Sequence, residues 1–196
     1  MAKIDIAEIK KLKELSGVGL TDAKNALVEA DGDFDKALEA MRKKGLTKAE
    51  KRGDRETREG VIDSYIHDGR IGAIVEVNCE TSFVAKTDEF KDLAHKIAMQ
   101  VASMNPLYVS AEDIPEEARA AKQKELEANF KGPENMKEQI LAGQIKKAFA
   151  DKILLDQPYI LDDSKTVAEF IKDNIAKTGE NISIKQFKRI ELGVTE

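Results

Sequence analysis

Two β-branched-rich runs, Val61-Ile62-Asp63-Ser64-Tyr65-Ile66-His67 and Arg70-Ile71-Gly72-Ala73-Ile74-Val75-Glu76-Val77, are separated by nothing but Asp68-Gly69. A two-residue turn between twisted antiparallel strands needs φ > 0 at both central positions, which Asp and Gly tolerate, so this stretch reads as a β-hairpin. Downstream, Thr87-Asp88-Glu89 caps and charges a helix start. Phe90, Leu93, Ala94, Ile97, Ala98 and Val101 then recur at the helical period and give that helix one apolar face to lay on the hairpin. A hairpin covered by an amphipathic helix points to an α+β fold.

Over residues 1–45 the period is helical. Ile6, Ile9, Leu12 and Leu15 mark a first helix that stops at Ser16-Gly17-Val18-Gly19. A second runs through Ala23, Ala26, Leu27 and Ala30, with Thr21-Asp22 as its cap candidates. Asp31-Gly32-Asp33 makes a turn and a new cap, and Phe34, Ala37, Leu38 and Met41 form the stripe of a third helix that ends at Gly45. Residues 1–45 therefore read as a three-helix module, marginal in stability by itself. Residues 46–59 have no apolar period and read as a charged linker, and residues 60–196 as an α+β core domain with a small antiparallel sheet packed by helices.

Within that core, Asn78 to Lys86 is a polar loop with one aromatic, Phe83. Asn105-Pro106 breaks the following helix, and Leu107-Tyr108-Val109 suits a short strand. Pro115-Glu116-Glu117 starts a helix with a thin apolar face that projects from the body. After Gly132-Pro133 another carries Met136, Ile140, Leu141, Ile145, Phe149 and Ile153, and Thr166 to Lys177 turns Val167, Phe170, Ile171 and Ile175 inward. Gly179-Glu180-Asn181 leads into a last strand whose Ile182, Ile184, Ile190 and Leu192 share one parity.

Composition removes several function classes. The chain of 196 residues has a formal charge of −5, 41 % hydrophobic and 5 % aromatic residues, no Trp and one Cys. A single Cys forms no internal disulfide, which argues against a secreted, stapled scaffold. Neither a signal peptide nor a membrane-spanning apolar run is visible, so the expected location is the cytoplasm. The acidic total argues against generic nucleic-acid binding. Arg42 to Arg58 does hold eight basic against three acidic residues, but without interleaved aromatics it reads as a solvated helix end and linker rather than an RNA site.

Candidates for bond-making chemistry are few. Cys79 beside Glu80 pairs in principle with His67 or His95, the only imidazoles. The bland alternative, a packed structural Cys and two solvated histidines, accounts for the same residues. No His, Cys, Asp or Glu set has metal-ligand spacing, and Gly17-Val18-Gly19 is no phosphate-binding loop. The reading assigns no catalytic residue, no metal and no cofactor. Phe83 either folds back into its own core or stands out as an anchor for a partner. Leu20 is likewise either a staple of its own module or a contact on a partner helix.

At these residues the sequence resembles the bacterial elongation factor Ts family. One motif is Leu12-Lys13-Glu14-Leu15-Ser16-Gly17-Val18-Gly19-Leu20-Thr21-Asp22-Ala23-Lys24-Asn25-Ala26-Leu27, where the family usually has Arg for Lys13 and Thr for Ser16. A second is Glu76-Val77-Asn78-Cys79-Glu80-Thr81-Ser82-Phe83-Val84-Ala85-Lys86, with Ser82 in place of the family's Asp. Leu154 to Tyr159, Ser164 to Val167 and Gly179 to Ile182 are similar as well, so the likeness spans essentially the whole chain.

The resemblance implies a ubiquitin-associated-like N-terminal module, then a dimerisation domain, in a guanine-nucleotide exchange factor for elongation factor Tu. It implies docking of the module on that GTPase through Lys10, Lys13, Leu20 and Thr21, where typical members have Met-Met for Leu20-Thr21. Thr81, Ser82, Phe83 and Val84 match the loop that displaces the magnesium ion, with Phe83 wedging near the phosphate loop. Short members imply a homodimer formed through the hairpin edge and the final strand. Two rivals keep distinct tests: a helix-binding adaptor would need only the first 45 or so residues, and a cysteine enzyme would show a depressed Cys79 pKa.

Overall fold

A computed structural model describes residues 5–16, 19–50, 52–130, 133 and 136–194. In chain order these form α1 (Ile6–Ser16), α2 (Leu20–Glu29), α3 (Phe34–Glu50), β1 (Glu59–His67), β2 (Ile71–Cys79), α4 (Ser82–Ala85), α5 (Asp88–Met104), α6 (Glu116–Ala128), α7 (Lys137–Phe149), β3 (Pro158–Tyr159), β4 (Asp162–Thr166), α8 (Val167–Thr178) and β5 (Ile182–Glu191). The fold is α+β, with a three-stranded sheet ordered β1-β2-β5 and a two-stranded ribbon β3-β4. The expected stops at Gly17-Val18 and Gly132 lie outside the described residues, as do the side chains of Arg42 and residues 44–50.

The described chain gathers into two compact units, one of residues up to Val61 with Val77–Asp92 and Glu169–Ile184, the other of Ile62–Glu76, Leu93–Ala168 and the segment from Lys185 on. In the first unit α1, α2 and α3 pack on one another around Ile9, Leu12, Ala23, Ala26, Leu27, Ala37 and Met41; of the four residues expected to form the α1 stripe, Ile9 and Leu12 are buried, whereas Ile6 and Leu15 are exposed. The turn between α2 and α3 is a Schellman motif: Asp31 takes φ 52°, its N–H reaches Val28 O at 3.1 Å, and Gly32 N–H reaches Leu27 O at 2.8 Å. Asp33 then caps α3, its Oδ1 accepting from Lys36 N–H at 3.1 Å.

Two expectations at this end are corrected. The N-cap of α2 is Gly19, in extended conformation and without a side-chain bond, so Thr21 and Asp22 fall inside the first turn. Helix α3 does not end at Gly45 but continues to Glu50; the Lys- and Glu-containing stretch after it favours helix, and one interior Gly costs only about 1 kcal/mol. The segment read as linker from residue 46 thus begins as helix.

In the second unit the hairpin is as the sequence dictates, with Asp68 at φ 50° and Gly69 at φ 66°. Odd positions face inward: Ala73 and Val75 are buried, and Asp63 and Tyr65 meet His95 of α5. Arg189 of β5 donates from Nε to Ala102 O of α5 at 3.0 Å, so the odd positions there face the helix too. Even positions of β1 and β2, and of β5 from Gln186 on, face out, and there Gln186 donates to Glu76 across the sheet at 2.8 Å. The single apolar parity expected for the last strand is therefore broken: Ile182 and Ile184 are buried, but Ile190 and Leu192 are exposed, the inward places beyond Gln186 being taken by Phe187 and Arg189.

The ribbon β3-β4 was not anticipated, and Leu107 to Val109 provides only a single bridge, Tyr108 to Ile153. Ile153 lies beyond the end of α7 rather than on it, and packs with Ile114 and Phe149. Helix α6 has no buried residue and packs on α7. Among the described residues no helix is long and apolar enough to cross a membrane.

Candidate functional site

The second motif folds into something more defined than a loop. Ser82 to Ala85 makes one helical turn, α4, too short to persist on its own propensity. Its ends are pinned by two threonines. Thr81 is the N-cap, with Oγ1 accepting from Val84 N–H at 3.4 Å. Beyond the turn, Thr87 Oγ1 donates to Val84 O at 2.8 Å and accepts from Phe90 N–H at 3.2 Å, which starts α5.

That frame sorts the four residues. Val84 is buried and anchors the turn, whereas Thr81, Ser82 and Phe83 are exposed. Phe83 is 80 % exposed, the highest value among the large hydrophobic side chains of the described residues. Of the two readings left open by the sequence, the one that places this ring in water holds. A buried Phe contributes about 1.5–3 kcal/mol, so leaving it outside is a cost that the free chain carries.

The anchoring continues through two glutamates. Glu180 accepts from Thr81 N–H at Oε2, 3.0 Å, and from Thr81 Oγ1 at Oε1, 2.6 Å. Glu80 accepts from Asn181 N–H at 2.6 Å and pairs with Arg55 at 3.3 Å. Asn181, buried, sends its amide to Gly53 O at 3.1 Å and Arg55 O at 2.7 Å. Gly179, at φ 77°, makes the reversal after α8 that brings Glu180 to this place.

Cys79 has no features of a nucleophile. It is buried, and its thiol donates to Thr81 O at 3.2 Å. Burial pushes the thiol pKa up and the Glu180 carboxylate adds to the rise, against a smaller pull from the Thr81 backbone bond. His95 is half-buried, with Nδ1 3.4 Å from Asp63 Oδ2 and its ring edge-on to Tyr65; His67 bonds the Tyr65 hydroxyl at 3.0 Å. No group of three His, Cys, Asp or Glu among the described residues is arranged to hold a metal ion.

The other expected contact residues lie on the three-helix module. Lys10 and Lys13 are exposed on α1, and Leu20 and Thr21 open α2. Leu20 is 53 % exposed, so it is no staple buried in its own module. Sequence reasoning missed Glu180 and Asn181 as partners of the Thr81 turn; their signals were the Gly179 turn that precedes them and the family likeness of Gly179 to Ile182.

The profile described as Elongation factor TS matches residues 19–194. Elongation factor Ts of Thermotoga maritima is 50 % identical over 193 residues, covering 97 % of both chains. That of Moorella thermoacetica is 48 % identical over 194 residues, 97 % of this chain and 96 % of its own. Elongation factor Ts of Gloeothece citriformis is 52 % identical over 199 residues, 98 % of this chain but 69 % of its own. An α+β chain with these likenesses along its whole length is a translation elongation factor. It belongs to the elongation factor Ts family.

Proposed function

We propose that this chain is a guanine-nucleotide exchange factor that binds elongation factor Tu in its GDP form and promotes GDP release in the cytoplasm. The observation that carries the reading is Phe83, held out in water on a turn pinned at both ends. The module of residues 1–45, extended by the segment 46–59, serves as the docking arm through Lys10, Lys13, Leu20 and Thr21. Thr81, Ser82 and Phe83 enter the GTPase beside its phosphate loop and displace its magnesium ion, while Val84 holds the turn from within.

Exchange makes no bond and needs no catalytic residue here. It is a coupling free energy: if the factor weakens GDP binding by some ratio, GDP weakens factor binding by the same ratio. Burying Phe83 in the partner returns about 1.5–3 kcal/mol, the size of typical coupling terms of about 1–3 kcal/mol. Moving the magnesium ion and the phosphate loop then removes the strongest electrostatic holds on the nucleotide. Ser82 has no carboxylate, so any charge-assisted bond made by the family's Asp is replaced by a neutral one. A homodimer completes the reading, joined through the sheet face that carries Ile62, Ile66, Ile74 and Ile190, all exposed.

Release of a fluorescent GDP analogue from elongation factor Tu of the same source tests this. Wild type should accelerate release and Phe83→Ala should lose most of the effect, with circular dichroism and sedimentation unchanged. Acceleration that survives in the variant moves the mechanism to Leu20 and the module. No acceleration by wild type removes the exchange reading.

A further inference from the structure

We propose that Glu180 is a positioning residue for exchange: it locks the Thr81 N-cap so that Phe83 is presented in one orientation before the partner arrives. This rests on the exchange reading above. The geometry is reciprocal. Glu80 accepts the backbone N–H of Asn181, and Glu180 accepts the backbone N–H of Thr81, so each glutamate bonds the residue that follows the other. Glu180 also takes the Thr81 hydroxyl proton at 2.6 Å, which orients the remaining lone pair of Oγ1 toward Val84 N–H. The second glutamate is itself fixed, by Arg55 and by the buried Asn181, whose amide is spent on the carbonyls of Gly53 and Arg55.

A four-residue helix has too few internal bonds to hold its own direction. Val84 anchors the turn from within and Thr87 closes its far end; at the N-terminal end, next to Phe83, it is held by the cap, and the cap is held by the carboxylate of Glu180 with two bonds to one residue. Preorganisation of this kind leaves encounter unchanged and acts on the step in which the ring must enter the partner. Removing it frees the turn to sample orientations in which Phe83 misses its site, without removing any group that touches the partner.

The test is GDP-analogue release over a range of factor concentrations for wild type, Glu180→Ala, Glu180→Gln, Phe83→Ala and the Glu180→Ala/Phe83→Ala double variant, with thermal melts and amide hydrogen exchange at Thr81 to Ala85. Glu180→Ala should lower the saturating release rate roughly tenfold, the scale of a charge-assisted hydrogen bond, with the half-saturating concentration within about twofold. It should also lose amide protection at Thr81 and Val84. Glu180→Gln, which keeps one oxygen for the Thr81 N–H and turns its NH2 to the hydroxyl oxygen, should restore most of the rate. In the Phe83→Ala background, Glu180→Ala should add no further loss. A wild-type rate in Glu180→Ala, an additive loss in the double variant, or a change confined to the half-saturating concentration overturns the inference and leaves the exchange reading standing. No acceleration by wild type overturns both. If Glu180→Ala loses its cooperative melt, Glu180→Asp, which keeps the charge but withdraws it from Thr81, is judged by the same criteria.

Discussion

Gly60 has a role that no side chain can fill. A Cβ there would fall 2.3 Å from Val77 O and 2.8 Å from Asn78 Cα, both backbone atoms of the paired strand. Gly60→Ala should therefore lower stability by about 1–3 kcal/mol in urea denaturation, as overpacking does. Gly72→Ala faces open space and should stay within about 0.5 kcal/mol of wild type. Cys79 gives a second prediction at this scale. Its raised thiol pKa means that the unfolded chain ionises first as pH rises. The stabilising contribution is whole below the unfolded thiol's pKa and lost as pH climbs toward the folded one. Iodoacetamide should label Cys79 slowly in the native protein and fast in urea, and Cys79→Ala should remove that alkaline slope while leaving nucleotide exchange intact. Neither Phe83 nor Leu20 could be assigned from the sequence, because a lone apolar residue beside polar neighbours has no period to say which side it faces.

Elements were legible where a period or a special backbone angle constrained them. The stripes of α2, α3 and α5 and the Asp68-Gly69 turn fall where their residues demand, whereas α1 buries only Ile9 and Leu12 of its four and leaves Ile6 and Leu15 exposed. The ribbon β3-β4 was not legible, since Pro158-Tyr159 is too short to alternate and Asp162 to Thr166 has no large apolar side chain. The one-turn helix α4 was hidden for a different reason: it exists through its caps, not its propensity. The break of parity in β5 falls at Lys185-Gln186, both exposed, beyond which Phe187 and Arg189 take the inward places, Arg189 bonding Ala102 O. Capping also supplies a prediction. The bonds from Lys36, backbone N–H first and then side chain, hold the Asp33 carboxyl below its ordinary value. The cap is at full strength above the ordinary carboxylate range, weakens as pH falls into that range, and is lost below the folded pKa. Asp33→Asn keeps an acceptor that does not titrate, so on acidification wild type should lose more stability than the variant in parallel thermal melts.

At the scale of the whole molecule, the limit of the sequence was distance along the chain. Thr81 and Glu180 stand 99 positions apart, and nothing in either stretch names the other. The same holds for Glu80 with Asn181, so the motif around Phe83 could be read but its long-range partners could not. The exposed isoleucines of the sheet carry the prediction here. Ile62→Lys with Ile190→Lys alters two solvent-facing positions of the single chain, each change worth no more than about 0.5 kcal/mol to its fold. Sedimentation equilibrium should show the mass of a dimer for wild type and of a monomer for the double variant, with unchanged circular dichroism. A dimer mass that survives both would place the interface elsewhere.

Gln100, fully buried on α5, donates to Gln157 Oε1 at 3.2 Å and to Pro158 O at 3.1 Å, and accepts from Ile160 N–H at 2.9 Å. Gln157 in turn donates to Asp151 O at 2.7 Å and Met104 O at 3.3 Å. Gln100 and Gln157 thus tie the ribbon β3-β4 to its helix through neutral amides. Added salt screens the exposed ion pairs of the chain and acid titrates its caps, but this attachment has neither a charge to screen nor a proton to lose, and it should hold across a range of cellular conditions in which the surface is continually renegotiated.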